Sequence, residues 1–137
     1  MSAMLGERIV IANRLDELPR MSQWLHDSAA SLGLEESDAS ALDVCANEAV
    51  TNIITYAYAD QLRHDITLEL HAAGNGARLV IRDDGKPFNL LEAPEHKAPG
   101  AIEEARIGGL GILLIRRMMS RCSYERADGF NVLYLEI

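Results

Sequence analysis

Cysteine, basic residues and long apolar runs are all scarce in this chain. Its two cysteines, Cys45 and Cys122, form no Cys-x-x-Cys pair and stand near no histidine at metal-ligand spacing. A thiolate metal centre is therefore not expected. Both cysteines fall within apolar, helix-like patterns, so two free, buried thiols are expected, as suits a cytoplasmic chain. Thirteen Lys and Arg stand against 21 Asp and Glu, for a net charge of −8. That balance argues against direct binding of nucleic acid, which needs basic patches against phosphate, and against an anionic membrane surface. No apolar run approaches the roughly 20 residues of a membrane-spanning helix. Met1–Glu7 carries no basic stretch leading into an apolar core, so no signal peptide is expected. There is no internal repeat and no low-complexity segment.

What is present is enough apolar material for a core: 48% of 137 residues, a length that predicts one domain, residues 1–137. Glu7–Ala12, with Ile9, Val10 and Ile11, reads as a first strand. Leu15–Leu32 places Leu18, Met21, Trp24 and Leu25 at helical spacing, and Gly33 is expected to cap its end. A second helix, capped by Ser37 or Asp38, is expected to run to about Tyr58. Asp65–His71 alternates polar and apolar residues as a half-buried strand does, Gly74-Asn75-Gly76 signals a hairpin, and Arg78–Arg82 returns. Ile112–Met119 reads as a helix. Arg121–Glu125 and Asn131–Ile137 read as strands joined around Asp128-Gly129. Hairpins make antiparallel neighbours. The expected fold is therefore an α/β sandwich (α+β), a mixed, mostly antiparallel sheet with helices on one face.

Three blocks carry chemistry. Within the second helix, Glu48 and Asn52 lie four residues apart and stack on one face. An amide oxygen suits magnesium, which prefers hard oxygen ligands, and a carboxylate can take a proton from an attacking hydroxyl. Alone, the pair also fits a solvated helix surface. The second block is a strand ending in Asp83-Asp84-Gly85. An acid there can accept a hydrogen bond from an exocyclic amine such as adenine's, and Gly85 lets backbone approach a flat ring. The third is Gly108-Gly109-Leu110-Gly111, a glycine cluster opening an apolar helix. Free N–H groups at such a helix start suit phosphate. Each of the last two is also an ordinary turn or helix start; their order is the stronger signal.

In that order the blocks resemble the Bergerat-fold ATPases, the superfamily of gyrase and the histidine kinases. The nearest resemblance is to the small anti-sigma-factor serine kinases of bacterial partner switching. Glu48–Asn52 matches the N-box, Asp83–Phe88 the first glycine box, Gly108–Gly111 the second, and Gly129–Leu135 the last strand. The resemblance implies binding of ATP and Mg2+. Its implied activity is phosphorylation of a serine on a small antagonist protein. It also implies sequestration of a sigma factor, and a homodimer. Implied roles are proton acceptor for Glu48, magnesium ligand for Asn52, adenine reader for Asp83, with Gly85, Gly108, Gly109 and Gly111 at the nucleotide. The acidic charge suits a basic partner such as a sigma factor, and equally suits solubility.

The Phe88–Ile107 segment has loop composition and matches the superfamily's lid over ATP. It is expected to order when ATP binds; a plain loop insertion is the other reading. Tyr56 stands where relatives carry histidine or arginine and is expected to pack as an aromatic. Lys86 and Arg106 flank the lid as solvated charges within reach of phosphate. His26, His64, His71 and His96 are scattered and read as structural or surface residues, and Arg116-Arg117 as solvent-facing. Two other functions fit: a nucleotide-gated binding module without phosphotransfer, for which Glu48 has no use, and a detached histidine-kinase catalytic domain, which a missing acceptor hairpin disfavours.

Overall fold

A computed structural model describes residues 6–92 and 110–137. Its strands are β1 (Glu7–Ala12), β2 (Asp65–Ala73), β3 (Gly76–Asp83), β4 (Arg121–Ala127) and β5 (Phe130–Glu136). Its α-helices are α1 (Leu18–Ser31), α2 (Glu36–Tyr56) and α3 (Leu110–Met118), with 3-10 turns at Leu15–Glu17 and Leu90–Glu92. The strands form one sheet in the order β1-β2-β3-β5-β4. All four pairings among the described residues are antiparallel, so the expected mostly antiparallel sheet contains no parallel pair there.

The hairpins follow from turn chemistry. Ala73 pairs with Gly76, leaving Gly74 and Asn75 as a two-residue loop, and Gly74 has φ +58°. Asp128 and Gly129 have φ +55° and +84° between Ala127 and Phe130, the double positive φ of a turn that matches strand twist.

Alternation along the strands sorts the sheet's two faces. Ile11, Ile66, Leu68, Leu70, Leu79, Ile81, Leu133 and Leu135 are buried on one of them. Against it pack Met21, Leu25 and Ala29 of α1, and Leu42, Cys45, Ala46, Ala49, Val50 and Ile53 of α2. Each fully buried Leu or Ile contributes about 1.5–3 kcal/mol. The opposite face carries polar side chains on inner strands, where Arg78 of β3 pairs with Glu136 of β5 at 3.0 Å and stacks over Tyr134.

Helix boundaries differ from the sequence reading for local reasons. α1 starts at Leu18, not Leu15, after the 3-10 turn, with Pro19 in its first turn where no amide donor is required. Glu17 ties this start to β1, accepting the Ala12 N–H at 2.8 Å and pairing with Arg20 at 3.0 Å. Gly33, at φ +81°, ends α1 as expected: its N–H reaches the Ala30 carbonyl and Leu34 N–H reaches Ala29. That short link starts α2 already at Glu36. Ser37 and Asp38 therefore lie inside the first turn, and the cap position falls to Glu35, which makes no side-chain cap bond among the described residues. The acids Glu36 and Asp38 instead face the positive end of the helix. α2 stops at Tyr56 rather than Tyr58, because the Ala57 carbonyl turns to accept the Lys86 N–H at 2.8 Å.

Candidate functional site

The middle of α2 presents Glu48 and Asn52 one turn apart. Asn52 is 5% exposed, and its amide N–H donates to the Glu48 carbonyl at 2.8 Å. This bond turns the amide so that Oδ1 is the end left for a ligand. Gly111, at the start of α3, lies directly on the pair. A Cβ there would stand 2.9 Å from Glu48 Oε1 and 3.3 Å from Asn52 Nδ2. Chain folding thus brings the end of the second glycine block onto the carboxylate and carboxamide. Gly108 and Gly109 lie outside the described residues, as do Arg106, His96 and most of the expected lid.

Asp83 ends β3 on the helix-facing side, in phase with Leu79 and Ile81, and is 2% exposed. Its Oδ1 accepts the Gly85 N–H at 2.8 Å and the Asn131 amide at 3.0 Å. Among the described residues no donor reaches Oδ2, which leaves an acceptor for a ligand amine. Burial raises this carboxyl above its ordinary value, while the bonds from Asn131 and Gly85 pull the other way. Gly85 packs against the end of α2, where a Cβ would meet the Ala57 carbonyl at 2.5 Å. Only glycine allows this approach of the Asp83 turn to α2.

Sequence reasoning missed Asn131. It is 3% exposed on β5, opposite Asp83 in the sheet. Its amide N–H groups donate to Asp83 and, at 2.8 Å, to the Lys86 carbonyl. Its Oδ1 accepts the Phe88 N–H, the Tyr124 hydroxyl and the Arg126 guanidinium. Arg126 also holds the Gly85 carbonyl at 2.8 Å. The available signal was phase: Asn131, Leu133 and Leu135 share one face, so an amide stands where the strand should be apolar.

Several expectations are corrected or refined. The lid does not begin at Phe88 as unstructured loop. Leu90 is 3% exposed, the Asn89 side chain accepts the Leu91 N–H, and Arg116, exposed as expected, donates to the Leu91 carbonyl at 2.8 Å. Packing of Phe88 and Leu90 orders the described start of the segment, residues 88–92, despite its polar composition. Beside Asp83, these two side chains together with Ile53, Tyr124 and Asn131 line a cavity of about 10 Å³, room for about one water. That volume is too small for a purine ring. Tyr56 packs as expected, its ring 6.2 Å from that of Phe88. Lys86 is exposed, and its backbone makes the bonds described above. Cys45 is buried, and burial pushes its thiol up to about 11, which makes it inert. Cys122, in contrast, is half-buried on strand β4 rather than helical.

The arrangement offers a hard oxygen and a carboxylate at a helix start, and a buried amine acceptor at a strand end. Among the described residues no helix is long and apolar enough to cross a membrane.

A family model described as a histidine kinase-like ATPase domain matches residues 11–137. Similar proteins include the serine/threonine-protein kinase BtrW of Bordetella bronchiseptica, 33% identical over 94 residues. That match covers 69% of this chain and 66% of the relative. The serine-protein kinase RsbW of Listeria innocua is 28% identical over 96 residues, covering 67% of this chain and 61% of that protein. The RsbW of Bacillus velezensis is 21% identical over 108 residues, covering 76% and 68%. The chain thus spans a little under two thirds of the first two relatives' own length.

Proposed function

Because the chain belongs to the histidine kinase-like ATPase domain family, we propose that it is an ATP-dependent serine protein kinase. The observation that carries the reading is the seat of Gly111 on Glu48 and Asn52, with the Cβ position 2.9 Å from Glu48 Oε1. It joins a phosphate-binding helix start to a base and a metal ligand. Kinase names among the relatives support the same class.

Asp83 accepts the adenine amine at Oδ2, held in orientation by Asn131. Asn52 offers Oδ1 to magnesium. Among the described residues no three acidic, histidine or cysteine groups cluster as a metal cage, so Asn52 would share the ion with phosphate oxygens and water. Bound Mg2+ would supply charge neutralisation on the phosphates. Glu48 accepts the proton of the substrate serine as its oxygen bonds to the γ-phosphorus and the bond to the ADP oxygen breaks. Gly108, Gly109 and Gly111 let backbone N–H groups close on phosphate. Most of the rate then comes from positioning and charge.

The substrate is a serine on a small antagonist protein. The regulated partner is a sigma factor that the kinase sequesters, as a homodimer, in the cytoplasm. The net charge of −8 supports a basic partner surface. The test is nucleotide calorimetry together with transfer of labelled phosphate from ATP to a co-purified partner. Glu48→Gln should bind ATP normally and lose about 10²–10⁴ in transfer rate. Asn52→Ala should lose the magnesium-dependent part of binding. Transfer at the wild-type rate by Glu48→Gln would refute the role of Glu48, and failure to bind nucleotide would refute the whole reading.

A further inference from the structure

The loop that follows α2 meets the Asp83–Gly85 turn at a second point, built around His64. The imidazole lies between two carboxylates: Nε2 is 2.8 Å from Asp60 Oδ1, and Nδ1 is 3.1 Å from Asp84 Oδ1. Its ring stacks on Tyr58, with centroids 4.6 Å and planes 21° apart. Its backbone is pinned to the end of β1. The His64 N–H donates to Asn13 Oδ1 at 2.9 Å, and the His64 carbonyl accepts the Asn13 N–H at 3.0 Å.

Ionised carboxylates only accept, so both ring nitrogens must donate. A neutral imidazole has one N–H and the imidazolium has two. The geometry is therefore complete only with the charged ring. The acids, Asp60 first, correspondingly raise His64 above the ordinary histidine range. The groups facing it are Asp60 and Tyr58 from the loop after α2 and Asp84 from the turn. The adjacent Arg63 and Asp65 pair with each other at 3.2 Å. Asp84 lies between Asp83 and Gly85, and the Lys86 N–H to Ala57 bond is the neighbouring tie between the same two segments.

We propose that His64 is a positioning residue for the nucleotide turn: protonated, it clamps Asp84 to the loop after α2 and so links nucleotide affinity to pH. The inference rests on the nucleotide-binding reading above. On deprotonation the remaining proton stays with the closer acid, Asp60. The Nδ1 lone pair then faces Asp84, and attraction becomes repulsion at the turn. The sign follows from the raised folded value. The clamp is fully made below the unfolded value of 6.5 and is lost as pH rises through the folded one. Affinity for nucleotide should fall over that interval.

The test is the dissociation constant for ADP, by calorimetry, at about pH 6 and about pH 9 for wild type, His64→Gln and Asp84→Asn. Titration of the ADP phosphates is common to all three and cancels on comparison. Wild-type affinity should fall about two- to fivefold more than that of either variant, the range of a solvent-accessible ion pair. Histidine-ring NMR on the unmutated protein supplies a second readout: ADP should raise the titration midpoint of His64, because linkage is reciprocal. Equal pH ratios in wild type and His64→Gln, or a His64 midpoint that ADP leaves unmoved, would overturn the clamp alone. Absence of ADP binding at every pH would overturn the nucleotide reading and the clamp with it.

Discussion

Asn131 donates its amide to Asp83 Oδ1 across 3.0 Å, at the helix-facing cross-strand pair of β3 and β5 in which both residues are polar. The neighbouring pairs on that face, Ile81 with Leu133 and Leu79 with Leu135, are apolar. The pair is thus a polar island at the end of the core. It holds one oxygen of the acid, and among the described residues no donor reaches the other.

Replacing Asn131 by Ala should strip Asp83, the Lys86 carbonyl and the Phe88 N–H of a shared partner. Each buried group left unsatisfied costs about 1–3 kcal/mol. Urea unfolding should move to a lower midpoint, and ADP affinity should fall with it. Leucine, similar in size, should be no better, because it restores no hydrogen bond. A midpoint equal to wild type in both variants would mean that the network contributes nothing.

Gly111→Ala separates stability from chemistry. The new methyl meets, at 2.9 Å, the free end of the Glu48 side chain, which can swing aside, and, at 3.3 Å, the buried Asn52 amide, which must give by a few tenths of an ångström, a shift the fold should tolerate. Exchanging glycine for alanine in a helix interior gains roughly 0.5–1 kcal/mol, and less in the first turn, where Gly111 stands. Thermal unfolding should therefore be unchanged or slightly raised, while phosphotransfer should fall steeply because Glu48 and Asn52 are displaced. A variant with full transfer activity would refute the close approach.

Asp83→Asn tests adenine reading. The amide presents a donor where adenine also presents one, and loss of a charged hydrogen bond costs about 1.5–3 kcal/mol. Calorimetry should show weaker ATP binding in the variant. In the wild type ATP should bind more tightly than GTP, and equal affinities for the two would remove the role from Asp83.

Acid should loosen the junction of β1 and α1. Hydrogen bonds from Arg20 and from the Ala12 N–H hold the Glu17 carboxyl down at about 2, against 4.5 unfolded. A lowered folded value means that its stabilisation is complete above about pH 4.5 and is lost as pH falls toward about 2. Glu17→Gln should unfold at a lower denaturant concentration than wild type at neutral pH, and the two should converge at the acid end. A gap between them that stays constant with pH would show that Glu17 acts through packing and not charge.

Local chemistry was legible along the chain. Alternation in β2 and β3, the positive-φ demands at Gly33, Gly74 and Asp128-Gly129, and the helical spacing of α2 each depend on a few neighbouring residues. For that reason β1 matched its expected bounds residue by residue, while the other elements fell within a few positions. The four-residue spacing of Glu48 and Asn52 belongs to the same class, since a helix alone places both on one face.

Tertiary structure decided what meets what. No local rule couples Asn131 to Asp83, 48 residues earlier, or seats Gly111 on Glu48; sheet register and helix docking do so. The same holds for His64, one of four scattered histidines by sequence, which becomes a bridge only when two loops bring Asp60 and Asp84 to opposite sides of its ring. Periodicity reports which face of an element is buried. It carries no information on which buried polar groups become partners, because that is set by distances between elements far apart in the chain.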